Sequence, residues 1–267
     1  MVKFLAAALM VIFAATGASA QSLAKIKAEK GCPDCDLDLI SMRQLALPGA
    51  NFAGASLTEA DMKEVRLTQA QFSGASLRRA ELERAVLIQA NFTEAQMRDA
   101  DLEKSDLTGA IFTLADLRDA DLANAVLSGA EFTEADLRHA LMRRIEAGTA
   151  SFREALLERA DLERSRLMGA DFTNARMAGA DLDRAELSGA NFSGADMAQV
   201  RLSSANLSGA MLTRANLKGA LLRRTNLSGA DLSQAEGLKE DQLSLACGDA
   251  NTLLPEGMSI RVCETGN

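Results

Sequence analysis

Tryptophan and tyrosine are absent from this chain of 267 residues, and histidine occurs once. The usual tools of molecular recognition and of acid–base catalysis are therefore scarce. No HExxH helix and no glycine-rich phosphate loop is present, and no nucleophile–base–acid set can be assembled. Charge of one sign is not in large excess either. Lys and Arg number 29 against 37 Asp and Glu, a formal net charge of −8. That acidic but mixed balance argues against general affinity for nucleic acid and against docking on an anionic membrane surface.

Long apolar runs are missing beyond the first twenty residues. Those twenty, MVKFLAAALMVIFAATGASA, start with a basic residue (Lys3), continue with an apolar stretch and end on Ala18-Ser19-Ala20. This is the pattern of a cleaved secretory signal peptide, and the stretch is short for a membrane span. No cysteine follows the cleavage site, which argues against a lipoprotein anchor. The expected mature chain starts near Gln21, without a membrane anchor, in the periplasm or outside the cell.

What the sequence has instead is a period. Every fifth residue from Leu37 to Leu232 is Leu, Met or Phe, with Ala147 the single exception among forty positions. Two residues before each centre stands a small residue, usually Ala, with Val65, Val200, Ser105, Ser165, Thr225 and Ile145 among the exceptions. A period of five fits neither the 3.6 of a helix nor the 2 of a strand. It requires a five-residue unit that turns a corner and repeats. Phenylalanine sets the number of corners. Phe52, Phe72, Phe92, Phe112, Phe132, Phe152, Phe172 and Phe192 are each twenty apart, so four units close one coil. Successive coils are spaced by about 4.8 Å, the inter-strand distance, so these rings are expected to stack as a ladder on one face.

The units GANFSGADM, SANLSGAML and TNLSGADLS resemble the pentapeptide-repeat family, over about residues 36–236. The resemblance implies an all-β fold, a right-handed quadrilateral β-helix. Forty units imply about ten coils and a rod about 48 Å long. The organisation expected is a signal peptide over 1–20, an N-terminal cap over 21–35, the solenoid over 36–236 and a C-terminal cap over 237–267. A type II turn favours Gly at its third residue. The corner before the Phe face offers Gly49, Gly109, Gly129, Gly169, Gly189, Gly209 and Gly229 there, whereas the opposite corner has Glu64, Arg84, Lys104 and Arg144 and no Gly. A different turn type is expected at that second corner. In RRIEAGTASF, Ile145 and Ala147 have exchanged their large and small places, and Gly148 is a candidate bulge.

Bare solenoid ends need caps. QSLAKIKAEKG before the repeats suits a short helix, and GLKEDQLSLACGD after them an amphipathic one. Four cysteines allow three pairings. A rod that holds its ends tens of Å apart leaves Cys32–Cys35 and Cys247–Cys263, because a disulfide needs Cα atoms about 4.4–6.8 Å apart. The CPDC stretch also admits a redox or a metal reading. It lacks the βαβ setting of a redox pair, and it lacks two further zinc ligands unless another molecule supplies them.

Any function must lie on the outward positions. Arg78, Arg98, Arg118 and Arg138 stack in one column, and Arg144, Arg164 and Arg184 run along a nearby edge. The column is a candidate surface for an acidic envelope polymer or a protein partner. The alternative is a ladder of surface ion pairs with Glu81, Asp101 and Asp121, each worth little. The stacked acids Asp99/Asp101 and Asp119/Asp121 would bind a cation weakly at best, and His139 lies on the surface beside Arg138 without an orienting partner. Outward apolar residues (Val86, Ile88, Ile111, Leu114, Val126, Met168) are scattered. No catalytic residue, cofactor or metal site is assigned. The reading is a non-enzymatic exported scaffold or interaction rod. The alternative, which the family resemblance implies, is a DNA mimic that binds a DNA-handling enzyme such as gyrase, and an enzyme has the least support.

Overall fold

A residue beside each core centre pairs with its counterpart twenty positions on. In the computed structural model, which describes residues 22–263, Asn51 forms a parallel bridge with Gln71, Gln71 with Asn91 and Asn91 with Ile111. The same holds on the other three sides, where Ser56 pairs with Ser76, Asp61 with Glu81 and Arg66 with Val86. Four bridged sides in twenty residues make a square coil, the quadrilateral parallel β-helix that a five-residue period demands. We name its sides by their centres: the Phe face (52, 72 and onward), the second (57, 77), the third (62, 82) and the fourth (67, 87). The expected signal peptide, residues 1–20, lies outside the described residues.

The hydrogen bonds explain why the unit has five residues. Phe52 donates its N–H to the Gln71 carbonyl at 2.7 Å, and Gln71 donates back to Ala50 at 2.8 Å. The corner residue donates to the next coil (Glu59 to Arg78, 2.9 Å), and the small residue closes the turn (Ala60 to Leu57, 3.1 Å). One N–H per unit is left over, that of the residue after the centre. An Asp or Asn just before the centre takes it: Ala53 donates to Asn51 Oδ1 at 3.0 Å, Ala123 to Asp121 Oδ1 at 2.8 Å and Ser233 to Asp231 Oδ1 at 2.9 Å. The recurring Asp/Asn of the motif is thus a side-chain turn that completes the backbone pairing.

The centres fill the lumen. Every Phe from Phe52 to Phe192 is fully buried, and successive rings stack at 4.7 Å (Phe112 to Phe132) to 5.3 Å (Phe52 to Phe72). The alanines two residues before each centre are fully buried as well, and Val65 and Val200 fit the same slot. In the exceptional unit both Ile145 and Ala147 are fully buried. The ladder runs through it, from Val126 to Glu146 and from Glu146 to Arg166, so Gly148 marks no bulge. The swap is absorbed in the turn instead. The Ser165 hydroxyl, from the next coil, donates to the Met142 carbonyl at 2.8 Å and accepts the Ile145 N–H at 3.3 Å, in place of a direct turn bond.

The corners follow one rule rather than two. Every fifth residue from Asp34 to Gly229 has a positive φ, including Glu64 (57°), Arg84 (54°), Lys104 (59°) and Arg144 (55°). The corner without glycine thus keeps the left-handed third residue that glycine favours. The ladder decides the conformation: Glu64 and Arg84 donate to Glu83 and Glu103 of the next coil at 2.9 and 3.0 Å. Those bonds offset the roughly 1–2 kcal/mol that a left-handed conformation costs a residue with a Cβ.

Both ends are closed. Helix α1, over residues 22–29, plugs the first coil with the fully buried Ile26. Pairing already begins at Gly31, which bridges Asn51, so residues 31–35 extend the coils beyond the expected start at 36. Gly31 has φ 131°, and a Cβ there would stand 2.1 Å from the Asn51 carbonyl oxygen, so no other residue fits. At the other end the helix is much shorter than the amphipathic pattern suggested, only α2, Glu240–Leu243. Residues after it are drawn into pairing with the last coil: Arg224 donates to Leu245 at 2.6 Å and Leu227 to Cys247 at 2.8 Å. Gln242 Nε2 covers the exposed carbonyls of Leu217 and Ala220 at 3.0 and 2.8 Å.

Candidate functional surface

Since the lumen is filled, chemistry is left to the outward columns. The arginine column lies on the second face, one residue after each centre. Its partners are not the expected Glu81, Asp101 and Asp121. Arg118 grips Asp116 of its own unit, Nε to Oδ1 at 2.8 Å and NH2 to Oδ2 at 2.6 Å. Arg138 holds Asp136 in the same way, at 2.8 and 2.6 Å. Arg98 meets Asp119 at 3.1 Å and Asp99 at 3.7 Å. Arg78 forms no ion pair among the described residues. The side chains before and after one centre lie on the same face, so they meet across a single unit, and this geometry outcompetes the neighbouring column. The Asp116 carboxylate, held by the Arg118 guanidinium, is pushed below its ordinary range, and the guanidinium is raised in turn.

The acidic columns have a structural job. Asp101 and Asp121 accept the N–H of Glu103 and Ala123 at 3.0 and 2.8 Å. Burial, and then the stacked carboxylates of Glu83 and Asp121, push the Asp101 carboxyl up. Among the described residues no group of three His, Cys, Asp or Glu has the arrangement of a metal site. His139 is exposed at a corner with φ 62°. The CPDC stretch is part of the first coil. Cys32 is buried in the Phe column and bonded to Cys35, with Cα atoms 5.6 Å apart. Cys247 and Cys263 form the second disulfide, Cα atoms 4.7 Å apart.

On the basic edge Arg164 and Arg184 share Glu163, at 3.2 and 3.3 Å. Arg144, Arg223 and Arg224 have no carboxylate partner among the described residues. The last two line a polar depression of about 360 Å³ with Arg184, Arg201, Ser203 and Ser204. The sequence reading missed both the Asp/Asn side-chain turns and the pairing of Arg118 and Arg138 within one unit. Their signal was present as the D-L-R triplets at 116–118 and 136–138. Among the described residues no helix is long and apolar enough to cross a membrane.

The family model for pentapeptide repeats matches in eight copies, at residues 35–74, 70–109, 110–145, 150–189, 165–203 and 201–236. It passes over residues 146–149, where Ala147 replaces a large centre, although the coil continues there. Among solved structures the chain is similar to HetL, a pentapeptide repeat protein involved in heterocyst differentiation regulation from the cyanobacterium Nostoc sp. strain PCC 7120. The two are 30% identical over 86% of this chain and 97% of that one, with a TM-score of 0.35. It is also similar to a pentapeptide repeat protein of the Arabidopsis thaliana thylakoid lumen, 31% identical over 46% of this chain and 80% of that one, TM-score 0.29. Full-length QnrB1, a plasmid-mediated fluoroquinolone resistance protein, is 20% identical over 79% and 94%, TM-score 0.32. No curated protein matches the chain.

Proposed function

The chain belongs to the pentapeptide-repeat family, and we propose that it works as a non-enzymatic rod, exported to the cell envelope, that binds a protein through its charged third face. The observation that carries this reading is the balance of charge on the third face. Its thirty outward positions between Ser41 and Arg224 hold eleven acidic and eleven basic residues. Such a surface is electrically patterned without being strongly charged, and it suits a protein of complementary pattern. Export is supported by the signal-peptide pattern of residues 1–20 and by two disulfides, which persist in oxidising compartments.

A second reading, duplex mimicry toward a DNA-handling enzyme such as gyrase, is favoured by the acid column Asp61, Glu81, Asp101 and Asp121. A duplex carries one negative charge per about 1.7 Å throughout. Here Leu141, Arg201 and Leu221 interrupt the column, and the pairs Arg143/Arg144 and Arg223/Arg224 lie beside it, which favours the first reading.

The test is capture from periplasmic extract with the purified protein. We compare the unmodified chain, a variant with Arg78, Arg98, Arg118 and Arg138 replaced by Ser, and a variant with Glu103→Lys and Glu163→Lys. Specific capture that the third-face variant abolishes and the four-Arg variant leaves unchanged supports the reading. A protein that stays in the cytoplasm and protects gyrase overturns it.

A further inference from the structure

The last coils are basic in an acidic protein. Between Asp196 and Asp231 the chain has no Asp or Glu and five basic residues, Arg201, Arg214, Lys218, Arg223 and Arg224, although its formal net charge is −8. Three of the five meet on the third face. Arg201, Arg223 and Arg224 line the depression of about 360 Å³ together with Arg184, Ser203 and Ser204, and the acids in its wall are Glu163 and Asp183.

Both acids are already engaged. Asp183 accepts Arg201 at 2.5 Å and the Ser203 N–H at 2.7 Å, and Glu163 is shared by Arg164 and Arg184. Four guanidinium groups thus face two carboxylates in the wall, and the two positive charges left over are those of Arg223 and Arg224. Asp241, which lines a neighbouring notch with Arg223, forms no ion pair with it, and the Ser203 and Ser204 hydroxyls make no hydrogen bond among the described residues. The backbone fixes where the two arginines start. Ser204 donates its N–H to the Arg223 carbonyl at 2.8 Å, and Arg224 donates to Leu245 of the cap at 2.6 Å.

We infer that this depression is a binding site for a phosphate monoester. Near neutral pH such a group carries close to two negative charges, which matches the two uncompensated guanidinium groups. Guanidinium forks pair with phosphate oxygens through parallel hydrogen bonds, and the two serine hydroxyls are neutral donors for an oxygen that remains. A carboxylate or a phosphodiester carries one charge and would leave one guanidinium without a partner. An Arg-Arg pair alone does not make the site. Arg143 and Arg144 hold the same positions four coils earlier, but there Asp161 takes Arg143 at 2.5 Å. The inference does not rest on the protein-binding reading, because its probes are small molecules and lipids and either result can fail without the other.

Calorimetric titration of the purified full chain with glucose 6-phosphate, in about 0.15 M salt, tests this with two double variants. Arg223→Gln with Arg224→Gln removes the two spare charges. Gln44 holds the corner position of Arg224 in an earlier coil, at φ 57°, so the fold accepts glutamine there. Arg143→Gln with Arg144→Gln removes the same charge four coil steps away, about 19 Å. The expected result is one phosphate per chain with a Kd of about 1 mM or tighter, at least about tenfold weaker in the first variant. The second variant should stay within about twofold, since its arginines lie beyond the Debye length of about 8 Å. Phosphatidylcholine vesicles with and without phosphatidic acid identify the source. Cosedimentation that needs phosphatidic acid and is lost in the first variant places the phosphate on a lipid, and binding of the sugar phosphate alone makes it a soluble one. Binding of neither probe, an equal loss in both double variants, or glucuronate binding as tightly as glucose 6-phosphate overturns the inference.

Discussion

The Ser165 hydroxyl donates a hydrogen bond to the Met142 carbonyl of the preceding coil, 2.8 Å away. It occupies the place of the N–H that closes the turn in the other units, and it passes the connection on to Ile145. Ser105 shares its sequence position but not its role. Its hydroxyl donates to Leu102 of its own turn at 2.7 Å, which the backbone N–H of Ser105 already reaches at 3.1 Å. Two substitutions that look alike should then differ. Ser165→Ala leaves a buried N–H and carbonyl without partners and should cost about 1–3 kcal/mol. Ser105→Ala removes only a redundant bond and should cost under about 1 kcal/mol. Urea unfolding midpoints of both variants measure the contrast, and equal losses would contradict it.

The Phe ladder makes a graded test possible. Leu212 and Leu232 continue the column with Leu in place of Phe, both buried, so the lumen accepts an aliphatic centre. Phe132 stacks on both sides, at 4.7 and 4.9 Å. Phe132→Leu should lose two ring contacts of about 0.5–1.5 kcal/mol each. Phe132→Ala also opens a cavity and should cost about 3–5 kcal/mol. The order of the two, read from denaturant midpoints, is the test, and a Leu variant as unstable as the Ala variant would show that stacking rather than volume holds the column.

These particulars show which parts of the molecule were legible beforehand. Phe52 and Phe72 are neighbours because the lumen admits one row of large side chains per face, and that constraint is written directly into residue spacing. The positive φ of Glu64 and Arg84 was not legible, because it is imposed by the bonds to the next coil and not by residue type. The ion pairs of Arg118 and Arg138 were misassigned for a related reason. Reach across one unit decides them, and a column-by-column view of stacked coils hides it. The exchange at Ile145 and Ala147 was visible, but its consequence for Ser165, twenty residues on, is a contact between coils that no local pattern displays. The outward columns were legible as composition only, and the structure is what assembles them into faces.

Asp101 carries a pH dependence whose sign is set by its surroundings. Burial, together with the stacked Glu83 and Asp121, raises its folded carboxyl value above the ordinary 3.8. The folded state therefore binds more protons than the unfolded chain just above that value. Stability falls as pH rises through the folded value, and the cost of the carboxylate persists at neutral pH. Asp101→Asn keeps the oxygen that accepts the Glu103 N–H, as Asn51 does for Ala53. It should raise stability at pH 7 by under about 1 kcal/mol and flatten the profile between pH 4 and 6. Asp116 should behave oppositely, since Arg118 lowers its value, and its Asn variant should lose stability at pH 7. Thermal midpoints across pH for the two variants decide the matter, and shifts of the same sign would refute the assignment.

The two disulfides should differ in what they protect. Cys32 and Cys35 are three residues apart and close a loop that the first coil already defines. Cys247 and Cys263 are sixteen apart and tie the outermost pairing, Gly248 to Val262, onto the last coil. In the chain-entropy model a loop of that size contributes roughly 3 kcal/mol, and a shorter one less. A solenoid melts from whichever end is weaker, so the C-terminal cap is where reduction should show first. Cys247→Ala with Cys263→Ala should expose residues after Leu238 to limited proteolysis and lower the melting point. Cys32→Ala with Cys35→Ala should leave that region protected. Equal protease resistance of both double variants would mean that Gln242, bonded to Leu217 and Ala220, together with the buried Leu243 and Ala246, holds the cap without the bridge.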